Sequence, residues 1–172
     1  MIKKLLFFTV LLTSMATFGQ EVSFGAQAGY LNMQDKAKYD GTSVSENYSG
    51  FYLGALADFT LSENWHLQPS VNYGHVEETD FLIVPVMAQY HIQNSGFYLQ
   101  AGPQATISLE DTGEDFSAFG LDLGVGAGYQ IDEHFFVEAK YAFEITNRYT
   151  GDGSDDLKSR INTLSVGLGY KF

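Results

Sequence analysis

The sequence predicts an all-β fold, an eight-stranded antiparallel up-and-down transmembrane β-barrel, and three observations lead to this fold class. After position 20, apolar residues alternate with small or polar ones at a period of two, in segments of about ten residues. Short and long polar links alternate between these segments. The length of 172 residues fits one domain, and the 18 Gly, 14 Phe and 11 Tyr are unusual for a water-soluble core.

The first 19 residues are expected to be a cleaved signal peptide rather than part of the fold. Lys3 and Lys4 supply a positive n-region, residues 5–12 a short apolar segment, and residues 17–19 a small-x-small cleavage site. An uncleaved anchor helix is the alternative, which the shortness of the apolar segment disfavours. The predicted barrel domain is therefore residues 20–172.

The first four strands are predicted at residues 22–31, 49–60, 65–75 and 81–91. The outward, apolar face of the first two carries Val22, Phe24, Ala26, Ala28 and Tyr30, then Phe51, Leu53, Ala55, Ala57 and Phe59. The fourth strand is apolar on both faces, which leaves its register open by one residue. We expect its outward residues to be Leu82, Val84, Val86, Ala88 and Tyr90.

The last four strands are predicted at residues 96–107, 118–129, 135–146 and 160–172. The sixth shows the clearest alternation, with Phe119, Leu121, Leu123, Val125, Ala127 and Tyr129 opposed to Gly120, Asp122, Gly124, Gly126 and Gly128. Tight turns are predicted at residues 61–64, 92–95 and 130–134, and longer polar links at 32–48, 76–80, 108–117 and 147–159. This order is typical of an up-and-down meander with both termini on the short-turn side.

The less apolar face decides between a membrane barrel and a water-soluble one of the lipocalin type. A face in water should carry many Lys and Glu residues, whereas this face carries mainly Gly, Ser, Gln and Asn. Glycine on a solvent-facing strand weakens it without gain, but inside a narrow barrel it makes room for larger side chains. The apolar face is therefore expected to point into lipid.

Aromatic residues support the same orientation, because they form two bands around an aliphatic zone. The band at the short-turn end is predicted to contain Phe59, Trp65, Tyr90, Phe97, Tyr129, Phe135 and Phe172. The band near the long links is predicted to contain Tyr30, Phe51, Tyr73 and Phe119. Pro69, Pro85 and Pro103 interrupt the strands, and we expect bulges or rim positions there.

Three segments resemble the small outer-membrane β-barrel domain family abundant in Bacteroidetes-type bacteria: "FLIVPVMAQYHI" (81–92), "GFYLQAGPQATI" (96–107) and "GLDLGVGAGYQI" (120–131). The resemblance implies localisation in the cell outer membrane, with lipid as the surrounding partner. The final "LSVGLGYKF" resembles the sorting signal read by the barrel-assembly machinery, which implies this role for Leu164, Val166, Leu168, Tyr170 and Phe172. These patterns specify a fold rather than an activity.

Charge excludes one class of partner. The formal net charge is −12, and loss of Lys3 and Lys4 with the signal peptide would make it −14. Nucleic acid is therefore not an expected partner, because its phosphates would be repelled. The absence of Cys excludes disulfides and a lipid anchor.

The inward face is predicted to hold a network of charges in the lumen: Asp58, Asp122, Glu138, Lys140, Glu144 and Arg160. One reading is a gated or selective conduit. The other, which we favour, is a plug of paired charges, because eight strands leave room for little more than side chains.

An enzyme, a metal site and a cofactor are not expected. Barrels that modify lipid A need His, Ser and a carboxylate together at the outer rim, and no Ser is placed to complete such a set with His75, Glu77 and Glu78. The four His are scattered, which disfavours zinc. The acidic links could bind Ca²⁺ or Mg²⁺, but a solvated surface is the simpler interpretation: Asp35, Asp40, Glu46, Glu77, Glu78, Asp80, Glu110, Asp111, Glu114, Asp115, Asp152, Asp155 and Asp156.

The sequence therefore favours a structural or surface-interaction protein with a plugged polar lumen, whose acidic extracellular links meet a surface protein partner. The alternative is a narrow pore for small or hydrophobic solutes, with Phe81, Ile83, Pro85 and Met87 as an apolar inner wall. A lipid-modifying enzyme is the third hypothesis.

Overall fold

Eight antiparallel strands form one closed barrel in the computed structural model, which describes residues 21–39, 42–113, 115–151 and 157–172. Each strand pairs with its neighbours in sequence, and the first pairs with the last. The strands are β1 Val22–Tyr39, β2 Thr42–Thr60, β3 Trp65–Val76, β4 Thr79–His91, β5 Phe97–Ser108, β6 Phe119–Gln130, β7 Phe135–Glu144 and β8 Leu157–Lys171. The predicted eight-stranded up-and-down barrel is confirmed, while the predicted signal peptide lies outside the described residues.

Within the described ranges, no helix is long and apolar enough to cross a membrane.

Two of the predicted long links are wrong. Residues 32–39 and 42–48 belong to a β1–β2 hairpin, in which the ladder runs from Leu31 opposite Gly50 to Tyr39 opposite Thr42. Residues 77 and 78 alone connect β3 to β4, with Glu77 at a φ of 54°. The hairpin was missed because a strand beyond the bilayer needs no apolar face, so it lacks the alternation that marks a membrane-spanning strand.

A three-stranded sheet projects beyond the other strands at the end opposite the tight turns. It consists of residues 31–39 of β1, 42–50 of β2 and 157–165 of β8, which pair through Leu31 opposite Ser165 and onward to Tyr39 opposite Leu157. We call it the projecting sheet. β3 ends at Val76, opposite Gly50, so residues 42–49 of β2 have no ladder partner on that side among the described strands.

The apolar face of the barrel points outward. Leu99, Val71, Leu123 and Val166 are all exposed, and Phe81, Ile83 and Met87 of β4 are buried. The register expected for β4 is therefore confirmed. Such a belt of exposed aliphatic side chains is what a hydrocarbon environment requires.

Aromatic pairs connect neighbouring strands at the end with the tight turns. Trp65 lies opposite Tyr90, Phe97 opposite Tyr129, and Phe135 opposite Tyr170, with ring centroids 4.8–5.2 Å apart. Each pair spans two strands whose connection lies at the opposite end of the barrel. Directly opposed aromatic side chains stabilise strand pairing, so the band also secures the register at this end.

Inward glycines make room for three buried aromatic rings. A Cβ on Gly128 would lie 2.1 Å from Cζ of Tyr98, and one on Gly169 would lie 2.0 Å from Cζ of Phe136. A Cβ on Gly167 would lie 2.2 Å from the Tyr52 hydroxyl, so Tyr52 reaches from β2 across β1 to β8. The space predicted for large side chains is thus occupied by these rings.

The three prolines interrupt hydrogen bonding without shifting the register. The β2–β3 ladder has a gap at Pro69, and its pairs on either side, Leu56 with Ser70 and Phe59 with Leu67, keep the same register. The ladders beside Pro85 and Pro103 behave in the same way. The expected bulges are absent from these strands, because a missing N–H removes one bond without adding a residue.

Candidate functional site

The structure places five of the six predicted lumen charges on the inner face. Asp58, Asp122, Glu138, Lys140 and Glu144 are all buried. They form separate clusters at different heights rather than one network. The lowest cluster lies at the end with the tight turns.

The lowest cluster is centred on Asp58. Its carboxylate pairs with the ammonium group of Lys171, and a hydrogen bond of 2.8 Å joins it to His66 Nδ1. The rings of His66 and His91 are 4.2 Å apart, and His91 stacks on Tyr98 at 4.9 Å. Because Asp58 has a cation and a ring nitrogen beside it, its buried charge is compensated.

The middle cluster joins Glu138 and Lys140, which are two residues apart on β7 and therefore share its inner face. Gln100 Nε2 donates to the Glu138 carboxylate at 3.0 Å, and the Tyr98 hydroxyl donates to it at 3.3 Å. No hydrogen bond or ion pair joins Lys140 to Asp122 among the described residues. Lys140 thus neutralises Glu138.

The highest cluster contains Glu144 and Arg148. Arg148 Nε lies 2.9 and 3.1 Å from the two Glu144 oxygens, and the backbone N–H of Ile161 donates to Glu144 at 2.5 Å. The guanidinium also donates to the carbonyl oxygens of Thr106 and Ala118, both at 3.3 Å. The connection after β7 therefore places the guanidinium group of Arg148 inside the lumen.

Asp122 differs from the other lumen carboxylates because hydrogen bonds rather than an ion pair hold it. Thr106 Oγ1 donates to Asp122 Oδ2 at 2.5 Å, and Gln104 Nε2 donates at 3.0 Å. The other oxygen, Oδ1, is buried without a hydrogen-bond partner.

The predicted inward position of Arg160 is wrong, since its side chain is exposed. Arg160 has the same strand parity as Leu164 and Val166, which point outward, so alternation alone was enough to exclude it. Two cations of the lumen were missed. Lys171 shares parity with the inward Gly169 and could have been found from the alternation, whereas Arg148 lies in a connection that has no periodicity.

The free space inside the barrel differs between mid-height and the outer end. A void at mid-height, lined in part by Tyr52, Pro85 and Lys140, holds about 10 Å³. At the outer end, by contrast, a cavity of about 810 Å³ opens beside the projecting sheet. We call it the outer mouth. Six buried apolar residues close it from below: Leu31, Met33, Tyr52, Val76, Phe81 and Ile83.

His75, the histidine considered for a catalytic site, lies at the outer rim with Asp80. Nδ1 of His75 is 2.7 Å from Asp80 Oδ1, which also accepts a hydrogen bond of 2.7 Å from the Tyr73 hydroxyl. No serine hydroxyl bonds to His75 among the described residues. In the same ranges, no three His, Asp or Glu side chains are arranged to hold a metal ion. Asp40, Glu114, Asp152, Asp155 and Asp156 lie outside the described residues.

β8, which the sequence resemblance implies to carry the assembly signal, presents its apolar residues on the outer face as expected. Leu164, Val166 and Leu168 are exposed on the outside of β8, Tyr170 packs between Phe135 and Phe172, and the Phe172 side chain is 75% exposed. The position of these residues is compatible with contact by another protein. Their role in sorting stays a prediction.

Comparison with solved structures identifies barrels of the same architecture. Ail, the attachment invasion locus protein of Yersinia pestis, is 21% identical, with a TM-score of 0.50 over 88% of this chain and 99% of that chain. Neisserial surface protein A is 20% identical, with a TM-score of 0.49 over 88% and 99%. OprG of Pseudomonas aeruginosa is 17% identical, with a TM-score of 0.39 over 89% and 97%. At these identities the likeness concerns the fold alone.

Comparison of the sequence with protein families covers the greater part of the barrel. No curated protein matches the sequence significantly. The family model described as "Outer membrane protein beta-barrel domain" matches residues 74–172, more than half of the chain. The chain therefore belongs to the outer membrane protein β-barrel domain family and is a protein of the outer membrane.

Proposed function

We propose that this outer-membrane barrel conducts no solutes and acts at the cell surface, as a structural or interaction protein whose outer end meets its partners. The observation that carries the proposal is the filling of the inner face by paired charges and buried rings. A hydrated conduit needs continuous room for water. The mid-height void of about 10 Å³ is at the lower limit for a single molecule.

The projecting sheet and the acidic links supply the surface for such a partner. Glu46 on the projecting sheet is exposed, as are Glu77, Glu78 and Glu110 on the neighbouring connections. A partner with a basic surface would be steered toward this end and would lose affinity in salt. We propose that these acidic segments, rather than the lumen, carry the interaction.

The acidic character of this end also argues against one ligand class. One structure of Ail contains the heparin analogue sucrose octasulfate. A polysulfate needs a basic site, whereas Asp35, Glu77 and Glu78 line the outer mouth. We therefore expect no binding of sulfated polysaccharide in the outer mouth.

A narrow pore for hydrophobic solutes is the second candidate, and one observation favours it. Phe81, Ile83, Pro85 and Met87 of β4 are buried along the inner wall below the outer mouth. They would give an apolar solute a path for the first part of the lumen. The charge clusters around Lys140 and Asp58 would then have to move to complete it.

An enzymatic role is not part of the proposal. His75 has a carboxylate partner, but the described residues give it no nucleophile. We also propose that the barrel-assembly machinery contacts the exposed aromatic and aliphatic face of β8 during biogenesis. Kinship with Bacteroidetes-type relatives in particular stays a prediction.

Single-channel recording in planar lipid bilayers tests the proposal. The purified, refolded protein should give no steady conductance steps, while a known porin in the same lipids serves as a positive control. A heat-modifiability gel shows beforehand that the barrel is folded. Steady, ion-selective steps from the wild-type protein would overturn the closed-lumen assignment in favour of a conduit.

A further inference from the structure

We propose that the outer mouth binds a small organic cation, an amine carried on an aromatic or aliphatic body. The inference deepens the surface role proposed above and rests on it, because it names the chemistry of one ligand at the same end of the molecule. Three properties of the outer mouth support it: its size, its apolar floor and its uncompensated carboxylates.

The size of the outer mouth suits a small molecule. Its volume of about 810 Å³ lies within the range of about 300–1,000 Å³ that is usual for ligand sites. The walls come from the projecting sheet, the β3–β4 turn and the connections that follow β5 and β7. Several segments of the chain therefore contribute side chains to one cavity, as in a typical small-molecule site.

The floor of the outer mouth is apolar. Met33, Val76 and Phe81 belong to the buried cluster beneath the cavity, and Ile161 packs against it. Phe116, on the connection between β5 and β6, adds an aromatic wall. A ligand body that covers these side chains would gain by removing apolar surface from water.

The charged side chains that line the outer mouth are mainly negative. Asp35, Glu77 and Glu78 line it, and no ion pair of the described residues involves them. The only cation among the lining residues is Arg148, which already pairs with Glu144. A positively charged ligand is therefore favoured over an anionic one.

Asp35 gives the cation a specific position. Its Oδ1 atom is buried without a hydrogen-bond partner among the described residues. Burial raises the pKa of the Asp35 carboxyl, although the charge of Arg148 opposes this. An ammonium group would supply the missing donor, and the rings of Tyr48 and Phe116 on the walls could add cation–π contacts.

The test uses ligands that differ in one property at a time, titrated by calorimetry into the full-length protein in lipid nanodiscs. The probes are 4-phenylbutylamine, its anionic counterpart 4-phenylbutyrate, its neutral counterpart 4-phenylbutanol, and n-butylamine, which lacks the ring. We expect 4-phenylbutylamine to bind with a dissociation constant below about 1 mM, and each other probe to bind at least tenfold more weakly. Empty nanodiscs give the background from partition into lipid.

Variants locate the binding. Glu77→Gln with Glu78→Gln should weaken 4-phenylbutylamine at least tenfold, and Asp35→Asn should weaken it as well. The matched control, Glu63→Gln with Glu133→Gln, removes the same charge from turns at the opposite end and should have no effect. Phe116→Ala tests the apolar wall on a connection rather than in the barrel. Heat-modifiability gels show that each variant is folded.

The outcomes separate this inference from the proposed function. Equal binding of all four probes, or binding that the Glu77 and Glu78 changes leave intact, would overturn the inference. Failure of every probe to bind would also overturn it, while the absence of conductance would leave the surface role in place. Conductance steps from the same preparation would instead refute the surface role.

Discussion

The lower lumen and the outer mouth use acidic side chains in opposite ways. In the lower lumen Asp58 and Glu138 each have a lysine in contact and at least one further hydrogen-bond partner, and the void at mid-height holds about 10 Å³. In the outer mouth Asp35, Glu77 and Glu78 face a cavity of about 810 Å³ without any such cation. The two regions are separated by an apolar layer that includes Leu31, Tyr52 and Ile83.

The difference shows which charges serve the fold. A buried carboxylate surrounded by a low-dielectric barrel is tolerable only with a partner, so the lower pairs replace the hydrophobic core that a soluble protein would have. Glu77 and Glu78 at the mouth are exposed and cost the fold little. Their charge is therefore available to a ligand, and changes in the two regions should affect different properties.

Removal of the lysine in the middle cluster should have the largest effect. Lys140→Ala leaves Glu138 buried without its cation, which should lower the free energy of unfolding by about 3–5 kcal/mol. A urea titration followed by heat-modifiability gels measures it, and Lys158→Ala at an exposed site is the control. If both variants unfold at the same urea concentration, the lower lumen is hydrated and the contrast between the regions fails.

A charge placed on the lipid-facing side should have the next largest effect. Leu123 is outward-facing on β6, and Leu123→Arg should cost about 2–4 kcal/mol if it lies at the bilayer midplane. Leu123→Met keeps the apolar contact and should be nearly neutral. The same titration in lipid vesicles measures both. An arginine variant as stable as the methionine variant would mean that this face does not contact hydrocarbon.

Deletion of Phe172 should affect assembly more than stability. If the exposed ring at the end of β8 is read during sorting, its loss should reduce the outer-membrane yield several-fold. Phe97→Ala removes an exposed ring from the same aromatic band and serves as the control. Cell fractionation with heat-modifiability gels measures both. Equal yields would show that the ring acts only as part of the aromatic band.

The smallest effect is expected at a turn outside the membrane-spanning strands. Asp132 accepts hydrogen bonds from the backbone N–H groups of Phe135 at 2.7 Å and His134 at 2.8 Å, which hold its pKa below the ordinary 3.8. Because the folded pKa is the lower one, the contribution of Asp132 is complete above about pH 4 and is lost as the pH falls through the folded value. Asp132→Asn should flatten the acid dependence of unfolding slightly.

The control for this last prediction is Glu133→Gln, since no such hydrogen bond involves Glu133 among the described residues. The neighbouring change should leave the acid dependence as it is in the wild type. An identical response from both variants would mean that charge in the turn, rather than the hydrogen bonds to Asp132, sets the dependence.

The sequence predicted the membrane-spanning part of the fold well, for a physical reason. Lipid on one side and a crowded lumen on the other impose a strict alternation, which Leu123 and Asp122 display on β6. Beyond the bilayer that constraint ends. The hairpin from Leu31 to Gly50 was therefore mistaken for a link, although its ladder is as regular as any other.

The candidate site was less predictable. Alternation can place Asp58 or Lys140 on the inner face. The contact of Asp58 with Lys171, however, depends on the stagger of strands around the barrel. Arg148 reaches Glu144 from a connection, through a conformation that no period describes. The outer mouth combines side chains from six parts of the chain, so its existence could be seen only in the folded molecule.

The pairing of β1 with β8 makes the barrel a ring, closed where Gly25 lies opposite Lys171. A ring lacking one member has two open edges, and in hydrocarbon each unpaired N–H or C=O group costs several kcal/mol. A chain that stops before β8 would leave the side of β1 that pairs with β8 without a partner, and it would have no stable form in lipid. Membrane insertion and closure of the barrel are therefore coupled, because an incomplete chain is unstable in the bilayer.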